Sequence, residues 1–176
     1  MGDLGPDHPF PHDVFADVIA ANGIYAADFE GTGLPGSAAR GLAILTCIDS
    51  RIDALGVVGL LEGDAFIIRN AGARVTDDVL RSVVLATLLM GVDRVLVMPH
   101  TRCAMAQRDE ADIHTLIAQR HGVDTRSLEF RTVSDQLAAL RIDVTRIRSL
   151  PFLPGGVQIG GALYHVESGL LEPIDA

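Results

Sequence analysis

Four short apolar runs constrain this chain more than any other feature: "LAILTC" (42–47), "AFIIRNAG" (65–72), "RVLVMP" (94–99) and "VQIGGALYHV" (157–166). An apolar run without polar alternation, as in "LAILTC", suits a strand buried on both faces, as in a parallel sheet. "DALGVVGLLEGD" (53–64) reads as a short helix or turn between the first two runs. After the second, Thr76 is a hydroxyl cap with Asp77 and Asp78 in the first turn of a helix that runs to Met90 and stops at Gly91. Helices are expected over 109–121 and 133–148, the latter with Val133, Leu137, Leu140, Val144 and Ile147 in steps of four and three. Strands alternating with helices predict an α/β fold with a mainly parallel sheet, in the order 2-1-3-4, with "GLLEPI" (169–174) as a short last strand or tail.

Upstream, residues 1–11 form a Pro-rich arm and 12–29 a helix with Val14, Phe15, Val18, Ile19 and Tyr25 as apolar positions. Gly and Pro in "EGTGLPGSAARG" (30–41) mark a linker. The expected organisation is one domain over 1–176, comprising an arm and helix (1–38) and an α/β core (39–176). The 176 residues suffice for a sizeable core.

Charge narrows the partners. The net charge is −9 and the pI about 4.9, the wrong sign for tracking phosphates, so nucleic acid is not an expected partner. All fourteen basic residues are arginine, which removes Schiff-base chemistry on lysine. Mean hydropathy is +0.31, yet no run approaches the ~18 apolar residues of a membrane span. The acidic start lacks a basic-then-apolar leader pattern, and a cytoplasmic protein without membrane partners is expected.

The two cysteines, Cys47 and Cys103, are not a Cys-x-x-Cys pair. They can be core thiols, a redox pair or metal ligands. In a 2-1-3 sheet, strands one and three are neighbours, so the end of "LAILTC" meets the segment after "RVLVMP". That places Cys47 near His100 and Cys103, which are three residues apart and can face the same way. Two thiolates and an imidazole are a zinc set, and three protein ligands plus an exchangeable position is the catalytic arrangement. Asp49 is the candidate fourth ligand. Arg51, two residues on, either forms a structural ion pair with it or holds it toward a bound water. His8 and His12 read as solvated, His114 and His121 as surface residues on a helix, and His165 as structural.

These residues resemble a known family. "CIDSR" is similar to the Cys-x-Asp-Ser/Ala-Arg motif of β-class carbonic anhydrases, and "HTRC" to their His-x-x-Cys. "GDAFIIRNAGARVTDDVLRS" resembles the segment between those motifs, and "SLPFLPGGVQIGGALYHVESGLLEPI" the closing strands. The likeness is strongest to the short bacterial and archaeal subgroup that also includes carbonyl sulfide and carbon disulfide hydrolases. It implies Zn2+ held by Cys47, His100 and Cys103, with Asp49 as fourth ligand or water-orienting acceptor, paired with Arg51. It implies a homodimer or higher homo-oligomer with exchanged N-terminal helices. The implied reaction is zinc-dependent reversible hydration of carbon dioxide to bicarbonate, with Ile48, Ala71 and Gly72 around the substrate. Hydrolysis of carbonyl sulfide or carbon disulfide is the alternative on the same site, and a zinc-bearing interaction protein the alternative of another class. Arg102 and Ala104 stand where the family often has Asp and Gly, a change expected to narrow or re-shape the pocket.

Overall fold

The computed structural model describes residues 10–30 and 33–176. His8 and most of the Pro-rich arm lie outside the described residues. The chain divides into two compact units between Leu34 and Pro35. The first holds one helix, α1 (Ala16–Ala27), which buries none of its residues. Val14, Phe15, Val18, Ile19, Ile24 and Tyr25 are all exposed. Residues 12–15, expected as helix, form turns instead, and Phe15 offers no side chain to cap the helix.

The second unit is a five-stranded sheet in the order β2-β1-β3-β4-β5. The strands are β1 (Leu42–Cys47), β2 (Ala65–Asn70), β3 (Arg94–Met98), β4 (Gln158–Tyr164) and β5 (Leu171–Ile174). The first four are parallel and β5 is antiparallel to β4. This is the expected α/β architecture and strand order. The interior strand β1 reads as a nearly unbroken apolar run because five of its six residues are buried.

The helices are α2 (Asp77–Leu89), α3 (Glu110–His121) and α4 (Gln136–Arg148). Each begins at a side-chain oxygen that accepts from a backbone N–H one turn in: Thr76 from Val79, Asp109 from Asp112 and Asp135 from Ala138. The Asp135 cap explains why α4 starts later than its apolar periodicity implied. Val133 is buried ahead of the helix, and its N–H donates to the Met105 carbonyl at 2.9 Å.

Alternate residues of β1 and β3 face two different apolar clusters. Ala43, Leu45, Val95 and Val97 pack with Val79, Val83 and Ala86 of α2 and Leu140, Val144 and Ile147 of α4. Gly161 of β4 is required there, because a Cβ on it would lie 3.1 Å from Leu140 and 3.2 Å from Val144. Ile44, Leu96 and Met98 join Ile52, Ala54 and the two cysteines in the second cluster. The site is thus built at the carboxyl ends of two adjacent strands, on the floor of an apolar core.

Candidate metal centre

Register decides which side chains meet. Thr46 of β1 lies opposite Met98 of β3, so Cys47 at the end of one strand adjoins the Pro99–Cys103 segment that follows the other. Cys47, His100 and Cys103 are all buried, and one ligand atom from each lies within 4.8 Å of the others. The two sulfurs are 4.0 Å apart, and both thiols are free.

His100 carries the clearest sign of a missing partner. It is fully buried, and its Nε2 is, among the described residues, the one buried side-chain nitrogen or oxygen without a hydrogen bond. Its Nδ1 lies 2.8 Å from the Thr101 carbonyl, which places the proton on Nδ1 and leaves a lone pair on Nε2 facing the sulfurs. A buried acceptor without a donor is costly. A divalent cation held by two sulfurs and this nitrogen removes that cost, and the donor set suits zinc. The Gln136 amide donates to the His100 carbonyl at 2.8 Å and fixes the backbone of the segment.

The electrostatics favour a thiolate. A hydrogen bond from Cys103 pulls the Cys47 thiol down to about 3 against the opposing effect of burial, helped by His100 and by the Gly72 N–H at 3.3 Å from the sulfur. The same contact and burial push Cys103 up. Burial opposes a charge on His100, yet contact with Cys47 outweighs it and raises the imidazole.

Asp49 and Arg51 are paired as their spacing implied. The Arg51 Nε and Nη2 donate to the two Asp49 oxygens at 2.8 and 2.7 Å, and the Arg51 backbone N–H adds a bond of 3.0 Å. This fork holds the Asp49 carboxyl well below the usual carboxylate range. Asp49 Oδ2 lies 3.7 Å from His100 Nε2. Turned to Arg51, it does not belong to the close ligand set.

An open pocket of about 420 Å³ adjoins the cysteines. Ile48, Ala71, Ala104 and Met105 supply its apolar wall, with Asp49 and Arg51 at its polar side. Gly72, expected in the wall, stands behind it and acts through its N–H on Cys47. Arg102 does not crowd the pocket: its guanidinium pairs with Glu167, 71% of its side chain is exposed, and only Ala104 of the two altered positions lines the cavity. None of the other described histidines lines the pocket. His12 is exposed, His114 is half-buried against Phe130 and bonded to Thr125, His121 is exposed, and His165 pairs with Glu172.

Arg69 escaped the sequence reading. From β2 it donates to three carbonyls of the neighbouring loop, those of Cys47 at 2.8 Å, Ile52 at 3.2 Å and Asp49 at 2.6 Å. The signal was an arginine inside the strand run "AFIIRN", where a charge needs partners.

The chain is similar to known proteins over most of its length. The family model described as carbonic anhydrase matches residues 42–171. The chain is 33% identical to β-carbonic anhydrase 1 of Mycobacterium tuberculosis over 90% of its length and 96% of that protein's. It is 29% identical to a carbon disulfide hydrolase of Acidithiobacillus thiooxidans, over 84% of its own length and 87% of the other's. The crystal structure of a carbonic anhydrase from Streptococcus mutans superposes with a TM-score of 0.85 at 32% identity, covering 96% of this chain and 100% of that one.

Proposed function

The chain belongs to the β-carbonic anhydrase family, and on that premise we propose that it is a zinc enzyme hydrating carbon dioxide reversibly to bicarbonate. The observation that carries this reading is the orphaned Nε2 of His100, aimed at two buried thiols beside an apolar pocket. Cys47, His100 and Cys103 would hold the metal. When bound, zinc supplies a Lewis acid that makes a water molecule nucleophilic near neutral pH. Asp49 accepts a hydrogen bond from the reacting water and aims it, and Arg51 fixes the Asp49 carboxylate through its fork. Ile48, Ala71, Ala104 and Met105 offer a linear, apolar substrate an apolar wall. The proton leaves to buffer; among the described residues, no histidine lines the pocket.

In the same reading the chain is one domain, with the 39–176 core completed by the 1–38 arm of a second copy. The exposed apolar residues of α1 support a homodimer or larger homo-oligomer, because such a surface has to be covered. A cytoplasmic setting, where thiols stay reduced, belongs to the same reading.

The test is stopped-flow carbon dioxide hydration across neutral and alkaline pH, on protein of measured zinc content. Zinc-replete protein that hydrates no faster than buffer would sink the proposal. The likeness to a carbon disulfide hydrolase and the Ala104 side chain at the pocket favour a second reading, hydrolysis of carbonyl sulfide or carbon disulfide. Sulfide release without carbon dioxide hydration would select it. Full zinc occupancy with neither activity would leave a non-catalytic, zinc-bearing interaction protein.

A further inference from the structure

Asp143 of α4 is a buried carboxylate with no part in the mechanism above. Only 4% of its side chain is exposed, and it receives the Arg74 guanidinium, itself 16% exposed, at 2.7 Å from Nε and 3.4 Å from Nη2. Arg74 closes the 70–74 turn, which is held in an unusual shape. Gly72 has φ of +79° and Ala73, a residue with a Cβ, has φ of +56°, a region that side chains with a Cβ seldom occupy. The Asn70 side chain staples the turn, accepting from the Arg74 N–H at 2.8 Å and donating to the Arg74 carbonyl at 2.6 Å. At its centre the Gly72 N–H points at the Cys47 sulfur, 3.3 Å away. A Cβ at Gly72 would lie 3.2 Å from Met105, so the turn is also pressed against the segment that follows Cys103.

We infer that the buried Arg74–Asp143 pair positions the sulfur ligand Cys47 by locking the 70–74 turn, and so tunes how strongly that sulfur binds metal. The inference rests on the metal reading proposed above. An N–H donated to a thiolate draws charge from the sulfur and fixes its direction, and outer partners of this kind set metal affinity. The pair reaches the sulfur through a backbone that a left-handed residue would otherwise relax. Asp143 and Arg74 are therefore positioning residues, paired with each other across 69 residues of chain.

The experiment uses the full chain and three variants: Asp143→Asn, Arg74→Lys, which keeps a buried charge opposite Asp143 but loses the fork, and the double Arg74→Met/Asp143→Leu, which removes both charges. Folding is checked by circular dichroism. Zinc affinity is measured by competition with a chromophoric chelator, and the cobalt-substituted proteins give the sulfur-to-metal charge-transfer band. The expected result is zinc binding weakened by about tenfold in the folded variants. The charge-transfer band should move to lower energy, since a sulfur relieved of its hydrogen bond is more electron-rich. Folded variants with unchanged affinity and superimposable cobalt spectra would overturn the inference. Failure of all three variants to fold would overturn it too, by making the pair a requirement of the fold. A wild-type protein that binds neither zinc nor cobalt fails the metal reading instead, before any variant is compared.

Discussion

Arg69→Met separates the loop that aims Asp49 from the cluster that binds metal. Methionine keeps the length of the stem and its packing but removes all three donors. Two of the lost bonds, to the Cys47 and Ile52 carbonyls, are part-buried; the third, to the Asp49 carbonyl, is exposed. A hydrogen bond from a charged donor is worth about 1.5–3 kcal/mol when well buried. Arg69 is the exposed residue of its strand, so about 1 kcal/mol for each part-buried bond and nothing for the third is the fitting figure. The sum is about 2 kcal/mol. In a chain of this size, each kcal/mol moves Tm by about 2–4 °C, so Tm should fall by about 4–8 °C at fixed protein concentration. The ligands themselves are untouched, so zinc should remain near one per chain. The loop between Cys47 and Ile52 should loosen, and a misplacement near 1 Å at the orienting carboxylate can cost about 100-fold in rate. Calorimetry, metal analysis and stopped-flow hydration on one preparation give all three readings. A Tm within about 2 °C of wild type together with an unchanged rate would refute the idea that Arg69 holds this loop.

Cys47→Ser, His100→Ala and Cys103→Ser should each lose zinc by elemental analysis; full occupancy in any one of them would break the proposed ligand set. Arg51→Ala removes the fork that depresses the Asp49 carboxyl; the Asp49 pKa should rise toward the ordinary range and hydration should fall by about tenfold or more, with zinc content unchanged. Deletion of residues 1–30 should convert the assembly to monomers or aggregates on light scattering, whereas a monodisperse, fully active dimer would show that α1 is not its covering element. Partial burial alone would raise the Glu110 carboxyl, but backbone N–H groups of Phe130, Thr132 and Arg131 hold it below the usual range. Such a depressed group stabilises the fold above its unfolded pKa and loses that contribution as pH falls through the folded value. Glu110→Gln should therefore be less stable than wild type above about pH 5, and the gap should close in more acidic solution; a gap that persists there would contradict the assignment.

Local rules made much of this protein legible before any coordinates. "LAILTC" is apolar but for Thr46, whose hydroxyl donates to the Met98 carbonyl, because β1 has a neighbour on each edge and a cluster on each face. Thr76 announces a helix start because a short polar side chain satisfies orphan amides within one turn, whereas the Asp135 cap went unread and α4 begins later than its periodicity implied. Cys47, His100 and Cys103 were legible as a set through the family resemblance of their motifs and through topology: parallel strands one and three had to be adjacent for the thiols to meet, and they are. What the tertiary structure alone decided are contacts between side chains far apart in sequence. Arg102, with Ala104, was expected to narrow or re-shape the pocket, but a left-handed backbone at φ of +54° accompanies an Arg102 side chain paired with Glu167. Arg69 stood alone in its strand run, and Asp143 lay between Arg141 and Arg146, neither of which is its partner. Periodicity reports which face a residue occupies, and caps report a few neighbouring amides. Neither carries the distance across a sheet, which depends on how twisted strands and packed helices come to rest.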